Sequence, residues 1–289
     1  MRKVQKMGVI NITPDSFSDG NLANSISSFR KKFLDIISWA DIVDIGAEST
    51  APMNSSIDSS EELKRYRDVF FPFLSKNPDP KVCISIDTYK VDVFKIVARE
   101  IHKFWPESSI IFNDISGIVD AELLDLFKEY EIPFTYILSH NLVTERSESS
   151  HHMNFCSDYE GIYFIQHIND FFIQNLKLLE PFSDRVLIDP CFGFSKTRDQ
   201  NQYLLNHFSD FVKLFPSSKI VFGISKKSFL RFPIELNIKE ERNLATLEHM
   251  HSIFIAKNLF LNKEHDFVLR VHDDSVVDAA IHALKILEI

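Results

Sequence analysis

The sequence predicts a (β/α)8 barrel, a ring of eight parallel strands with a helix after each. Three observations point to it. Eight short apolar runs rich in β-branched residues recur along the chain, stretches of helical periodicity separate them, and polar residues cluster where each apolar run stops. Strands covered on both faces read as near-continuous apolar runs, and parallel strands need crossover helices. The competing architecture with the same alternation is an open doubly wound sheet.

The elements follow in order. Strand one, residues 4–10, leads through the loop 11–24 to a helix whose inner face carries Ile26, Phe29, Phe33, Ile36 and Ile37. Strand two, 42–46, is followed by the loop 47–60 and the stripe Leu63, Tyr66, Val69, Phe70 and Phe73. Strand three, 82–86, precedes Val93, Val97 and Ile101; strand four, 110–113, precedes Leu123, Leu124 and Phe127. Strand five, 134–138, is followed by the polar loop 141–158 and by Ile165, Ile168, Phe172, Leu176 and Leu179. Strand six, 186–188, precedes Leu204, Phe208, Phe211 and Val212. Strand seven, 220–223, precedes Leu247, Met250, Phe254 and Ile255, and strand eight, 267–271, precedes Val277, Ile281, Leu284 and Leu287. Spacings of three and four place each set on one helix face. With 289 residues and neither a linker nor a repeat in sight, one barrel over 1–289 is expected. Long loops at one rim are usual places for binding.

The net charge is −9, which disfavours nucleic acid and anionic membranes as partners. An anionic substrate would therefore need a local positive cluster. Cys83, Cys156 and Cys191 have no paired spacing, so a reducing cytoplasm fits better than a disulfide framework. No apolar run approaches the roughly 20 residues of a membrane span.

The strand ends carry the chemistry. They offer Asn11; Glu48-Ser49-Thr50; Asp87-Thr88 with Lys90; Asn113-Asp114; Ser139-His140-Asn141; Asp189; Ser225-Lys226-Lys227-Ser228; and Arg270, His272 and Asp273. In a barrel these ends share one face, where active sites are built. Asp87, Asn113 and Asp189 suit a flat heterocycle with an amidine-like edge, and Lys227 can donate to a ring carbonyl. Arg270, His272 and either Lys196 or Lys226 suit phosphate oxygens. Plainer readings exist residue by residue. Asp87 could cap the next helix, Asn113-Asp114 and Asp189-Pro190 could form turns, His140 could be structural, and His151-His152 could be solvated. Cys191 has no base to make it a nucleophile.

At these residues the sequence resembles the dihydropteroate synthase family over nearly its whole length. The opening signature is Met7-Gly8-Val9-Ile10-Asn11-Ile12-Thr13-Pro14-Asp15-Ser16-Phe17-Ser18-Asp19-Gly20. Asp44-Ile45-Gly46-Ala47-Glu48-Ser49-Thr50, Ile84-Ser85-Ile86-Asp87-Thr88-Tyr89-Lys90 and Phe112-Asn113-Asp114-Ile115-Ser116-Gly117 follow in family order. Then come Asp189-Pro190-Cys191-Phe192-Gly193-Phe194-Ser195-Lys196-Thr197, Ser225-Lys226-Lys227-Ser228-Phe229 and Arg270-Val271-His272-Asp273. The resemblance implies a barrel that condenses 4-aminobenzoate with 6-hydroxymethyl-7,8-dihydropterin pyrophosphate. It implies that Asp87, Asn113, Asp189, Lys227 and Arg270 hold the pterin, with Lys227, Arg270 and Asp87 central to catalysis. It further implies that Asn11, Thr50, Arg270 and His272 hold the pyrophosphate, Asn11 also supporting Mg²⁺, and that Phe17, Thr50, Pro52 and Ser228 shape the aminobenzoate site.

Four places depart from the family pattern. Ala51 stands where the family usually has an arginine, and Ser139-His140-Asn141 where it shows Met-His-Met. Cys191 replaces a glycine, and Lys226 an arginine. Two other functions share the pterin-holding acceptors: a barrel that passes a folate methyl group to a corrinoid protein, and a non-catalytic pterin-binding paralogue. Arg270-Val271-His272 and the loop 13–20 speak against the first; Ala51 and the altered end of strand five favour the second. Leu247, Met250, Phe254, Leu284 and Leu287 would serve a homodimer or internal packing equally.

Overall fold

The computed structural model describes residues 4–13, 22–49, 56–225, 227–230 and 265–275. Eight strands close into a parallel barrel in sequence order, with β8 pairing back onto β1. They are β1 Val4–Asn11, β2 Ile42–Gly46, β3 Cys83–Asp87, β4 Ile110–Asp114, β5 Thr135–Ser139, β6 Val186–Asp189, β7 Lys219–Phe222 and β8 Phe267–Val271. The open-sheet alternative is thereby excluded. The expected strands hold to within a residue or so at their ends, and β1, β3, β4, β5 and β6 each run on to include a polar residue of the rim.

Side-chain alternation divides the strands between two cores. The outer core fills the space between sheet and helices. There Phe29, Phe33, Phe70, Phe73 and Trp105 interlock at ring-centroid distances of 5.0–6.2 Å. Each fully buried phenyl of this kind contributes roughly 1.5–3 kcal/mol, which accounts for the abundance of Phe. The inner core is an apolar plug inside the barrel: Met7, Ile42, Cys83, Ile111, Ile137, Leu187, Val221 and Val268, one residue from each strand. Two residues further along, the same inward face carries Val9, Asp44, Ser85, Asn113, Ser139, Asp189, Gly223 and Arg270. The barrel interior therefore changes from apolar to polar within one side-chain layer, and the polar layer floors the C-terminal mouth.

Among the described residues the α-helices are α1 Leu22–Ile37, α2 Ser59–Arg65, α3 Phe71–Lys76, α4 Val91–Phe104, α5 Ala121–Glu129, α6 Gly161–Leu178, α7 Arg198–Asn206 and α8 Phe208–Lys213. The second apolar stripe spans α2, a π turn at Tyr66–Phe70 and α3, and the sixth is split at His207 between α7 and α8. Asp58 caps α2 by accepting from Glu61 N at 2.8 Å, and Thr197 and Gln200 form a capping box at α7. Asp87 caps nothing: the N-cap of α4 is Lys90, without a side-chain cap bond. The loop expected at 141–158 contains a 3-10 segment, Arg146–Phe155. The stripes at Leu247–Ile255 and Val277–Leu287 lie outside the described residues. Among the described residues no helix is long and apolar enough to cross a membrane.

Candidate active site

The mouth of the barrel holds a cavity of about 600 Å³ whose wall includes Asn11, Asp87, Asn113, Asp189, Lys227, Arg270 and His272. These seven residues come from β1, β3, β4, β6, the segment after β7, and β8 with its following turn. Thr50, Pro52 and Phe17, like Ala51 and Lys226, lie outside the described residues. Ser228 opens a 3-10 turn just after Lys227.

Arg270 organises one side of the cavity. Its Nε donates to Asp44 Oδ2 at 2.8 Å and its Nη2 donates to Asp87 Oδ2 at 2.7 Å, while Nη2 also stands 2.7 Å from Asp44 Oδ2 as an ion pair. Burial alone would pull its pKa down, but the carboxylates of Asp44 and Asp87 outweigh burial and hold it above the ordinary range. Asp87 is enclosed by protein except toward the cavity. Burial, and after it the Asp44 carboxylate, push its carboxyl up to about 7 against the pull of Arg270. Across the mouth, Asp189 accepts from Cys191 N at 2.6 Å, so it does form the expected turn while its carboxyl also lines the cavity; burial raises its pKa.

Lys227 reaches the wall beside Gly193. A Cβ at Gly193 would stand 3.3 Å from Lys227 Cδ, and the backbone there has φ +87°, so glycine is needed twice over. The Lys227 ammonium lies 4.7 Å from the Phe194 ring centroid, and burial lowers its pKa.

At the end of strand five the structural reading of His140 holds and the rim reading of its neighbours does not. Ser139, His140 and Asn141 are all buried and none lines the cavity. His140 Nδ1 is 2.8 Å from Lys196 Nζ, which also donates to the carbonyls of Cys191, Phe194 and His140 at 2.9–3.2 Å. Lys196 is thus no free phosphate cation but a clamp between the loops after β5 and β6. Burial draws its pKa down to about 8, and burial and then Lys196 hold His140 well below the imidazole range. Asn141 accepts from Ser195 Oγ at 2.6 Å and donates to Ile115 O at 2.8 Å. His152, read from the sequence as solvated, is buried with its ring 4.2 Å from that of Phe194, and it touches the cavity; His151 is exposed as expected.

Three features had no role assigned to them from the sequence. Asp44 links Arg270 to Asn113, whose Nδ2 donates to Asp44 Oδ1 at 3.1 Å. Glu48 closes its own loop by accepting from Ile57 N at 3.0 Å, while Lys90 bridges it to the buried Glu62 at 2.5 and 2.7 Å. Arg198, at the start of α7, adds a cation to the wall. The alternation that turns Asp44 inward was readable, since Ile42, Asp44 and Gly46 share one strand face. For metal binding, the described residues hold no cluster of three His, Cys, Asp or Glu side chains. The amide oxygen of Asn11 on the cavity wall is a hard donor, which suits a Mg²⁺ held mainly by phosphate and water.

Comparison with known proteins agrees with this geometry. The family model described as pterin binding enzyme matches residues 7–256. The chain is 28% identical over 266 residues to the dihydropteroate synthase of Streptococcus pyogenes, covering 90% of this chain and 89% of that one. It is 30% identical over 240 residues to the mitochondrial folate synthesis bifunctional protein of Pisum sativum, covering 79% of this chain but only 44% of the length of that relative. The structure matches that of the dihydropteroate synthase of Clostridium difficile, obtained in the presence of pteroic acid, with a TM-score of 0.74 at 26% identity, covering 98% of this chain and 97% of the other. Fold, cavity and sequence coincide, and the chain belongs to the pterin binding enzyme family.

Proposed function

We propose that this chain is a dihydropteroate synthase, joining 4-aminobenzoate to 6-hydroxymethyl-7,8-dihydropterin pyrophosphate with release of pyrophosphate. The observation that carries the reading is one cavity whose wall includes acceptors (Asp87, Asn113, Asp189) and cations (Lys227, Arg270), together with Asn11 and His272. That combination matches a substrate with a donor-rich ring and an anionic tail. Thr50, Pro52, Phe17 and Ser228 are assigned to the aminobenzoate side on the motif alone.

The chemistry asks little of a nucleophilic side chain, because the arylamine is already one. Its nitrogen forms the new C–N bond to the pterin methylene as the C–O bond breaks. The electron pair leaves on pyrophosphate, and the amine proton passes to solvent or to the departing oxyanion. Arg270 and His272 stabilise that oxyanion. Asp87 and Asp189 accept ring N–H bonds and favour positive charge on the ring as the methylene becomes cation-like, while Lys227 fixes the ring carbonyl. A Mg²⁺ held at Asn11 with the pyrophosphate would neutralise leaving-group charge. The three free thiols fit the expected reducing compartment. A homodimer is part of the same reading, and gel filtration tests it.

The deciding experiment incubates the protein with both substrates and Mg²⁺ and assays dihydropteroate by chromatography. Product supports the reading. Pterin binding without product would instead favour the non-catalytic paralogue, for which Ala51 is the specific observation.

A further inference from the structure

Asp44 is fully buried in the polar layer and is not part of the cavity wall. Its two oxygens serve different partners. Oδ1 accepts from Asn113 Nδ2 at 3.1 Å, while Oδ2 accepts from Arg270 Nε at 2.8 Å and pairs with the Nη2 charge at 2.7 Å. A carboxylate can only accept, whereas a primary amide donates from one end and accepts at the other. The Asn113 amide therefore has one satisfactory orientation. Its NH₂ end faces Asp44, and its oxygen is left for the side of the cavity where Asp87 and Asp189 also present acceptors. The same carboxylate holds the Arg270 fork so that Nη2 reaches Asp87 at 2.7 Å.

Resting on the synthase reading, we infer that Asp44 is a positioning residue that sets specificity: by fixing the polarity of the Asn113 amide and the plane of Arg270, it makes the cavity accept a heterocycle edge that bears N–H groups and reject one that bears a carbonyl. It touches no ligand and acts through two residues that do. Reversing the Asn113 amide would set its oxygen against the Asp44 carboxylate, which buried like-polarity groups do not tolerate. A neutral amide at position 44 must keep its oxygen toward the Arg270 donor and so turn its NH₂ toward Asn113, which reverses the Asn113 amide and removes the preference.

A second consequence separates this role from a merely structural one. Asp87 is faced by Asp44 from β2, Arg270 from β8, Glu62 from α2 and Lys227 after β7. Burial and then Asp44 act to raise the Asp87 carboxyl. Removal of the Asp44 charge therefore lowers it and leaves Arg270 freer to pair with Asp87, so both effects move the acid limb of ligand binding to lower pH.

The test measures, by calorimetry on the full chain, the affinity for pterin and for lumazine, its 2-oxo counterpart, at pH values from about 5 to 9. The proteins are wild type, Asp44→Asn, Asn113→Ala and the double variant, with wild-type dihydropteroate formation assayed alongside. Wild type is expected to prefer pterin by about tenfold or more, because a site built to accept N–H bonds penalises an acceptor placed there. In Asp44→Asn the preference should fall to within about threefold and the acid limb should move down, whereas in the Asn113→Ala background Asp44→Asn should change the preference no further. A folded Asp44→Asn protein that retains the wild-type preference and limb overturns the inference, as does an equal loss in both backgrounds. Should Asp44→Asn fail to melt cooperatively, Asn113→Ala decides alone: loss of the preference supports the inference and retention overturns it. A wild-type protein that shows the pterin preference but forms no dihydropteroate refutes the synthase reading and leaves the Asp44 comparison decisive in its own right.

Discussion

Arg146 closes on Asp114, Nη1 to Oδ2 at 2.5 Å, and so fastens the loop after β5 to the end of β4. The same guanidinium donates to the Ile118 carbonyl at 2.7 Å and to both oxygens of Asp120, while Tyr136 Oη donates to Asp114 Oδ2 at 3.0 Å. Asp114 is fully buried. Replacing Arg146 by Ala would strand that carboxylate, at a cost on the order of 3–5 kcal/mol. Calorimetry should show a clearly lower melting temperature. Arg146→Lys should recover little, because an ammonium cannot reproduce the fork.

Lys227→Ala and Arg270→Ala should each lower turnover by about a hundredfold or more, the usual scale for losing a group that steadies developing charge. Steady-state kinetics with saturating 4-aminobenzoate measures this. Near-normal rates would remove both residues from the assigned roles.

Gly193→Ala probes the passage of Lys227 to the wall. The added methyl meets Lys227 Cδ at 3.3 Å in a backbone with φ +87°. The expected result is a folded protein, weakened by roughly 1–2 kcal/mol from left-handed strain, whose kcat/KM falls more than its stability explains. Urea unfolding and kinetics on the same preparation separate the two effects.

The pH dependence follows from Asp87, raised to about 7 by burial first and Asp44 second. The acceptor of ring N–H bonds is the ionised form, so pterin affinity should be full above that value and fall as pH drops through it. The stability sign is opposite. The unfolded carboxyl ionises at lower pH than the folded one, so this group subtracts stability as pH climbs from the ordinary carboxylate range to about 7 and subtracts it fully above. Titration calorimetry across this range should show the limb in wild type, and Asp87→Asn should abolish it.

Most of the barrel could be read from the chain because strands covered on both faces leave an unbroken apolar signature, as Ile42–Gly46 does, and because the helix faces repeat every three to four residues. The cavity residues were readable for a related reason: Asp87, Asn113 and Asp189 interrupt such runs where burying a polar group needs a purpose. What escaped notice depended on contacts across long sequence distances. Nothing near His152 announces that Phe194 will cover it, and nothing near Lys196 announces His140, 56 residues away. Asp44 was passed over because it sits within an apolar run instead of at its end, although its place on the inward face was available from period-two alternation. At strand five the structural reading of His140 holds, whereas Asn141 follows the strand as a rim residue should, yet its bonds with Ser195 and Ile115 turn it into the protein.

The stacked interior sets a depth gauge. Beneath Asp44, Asn113, Asp189 and Arg270 lies an apolar plug, one side chain from each strand. A flat ring can settle onto the polar tier but can sink no further, since the plug offers it neither room nor hydrogen bonds. Selection for how far a ligand projects from the mouth thus falls to the loops above, and those loops can change without disturbing the platform on which the ring rests.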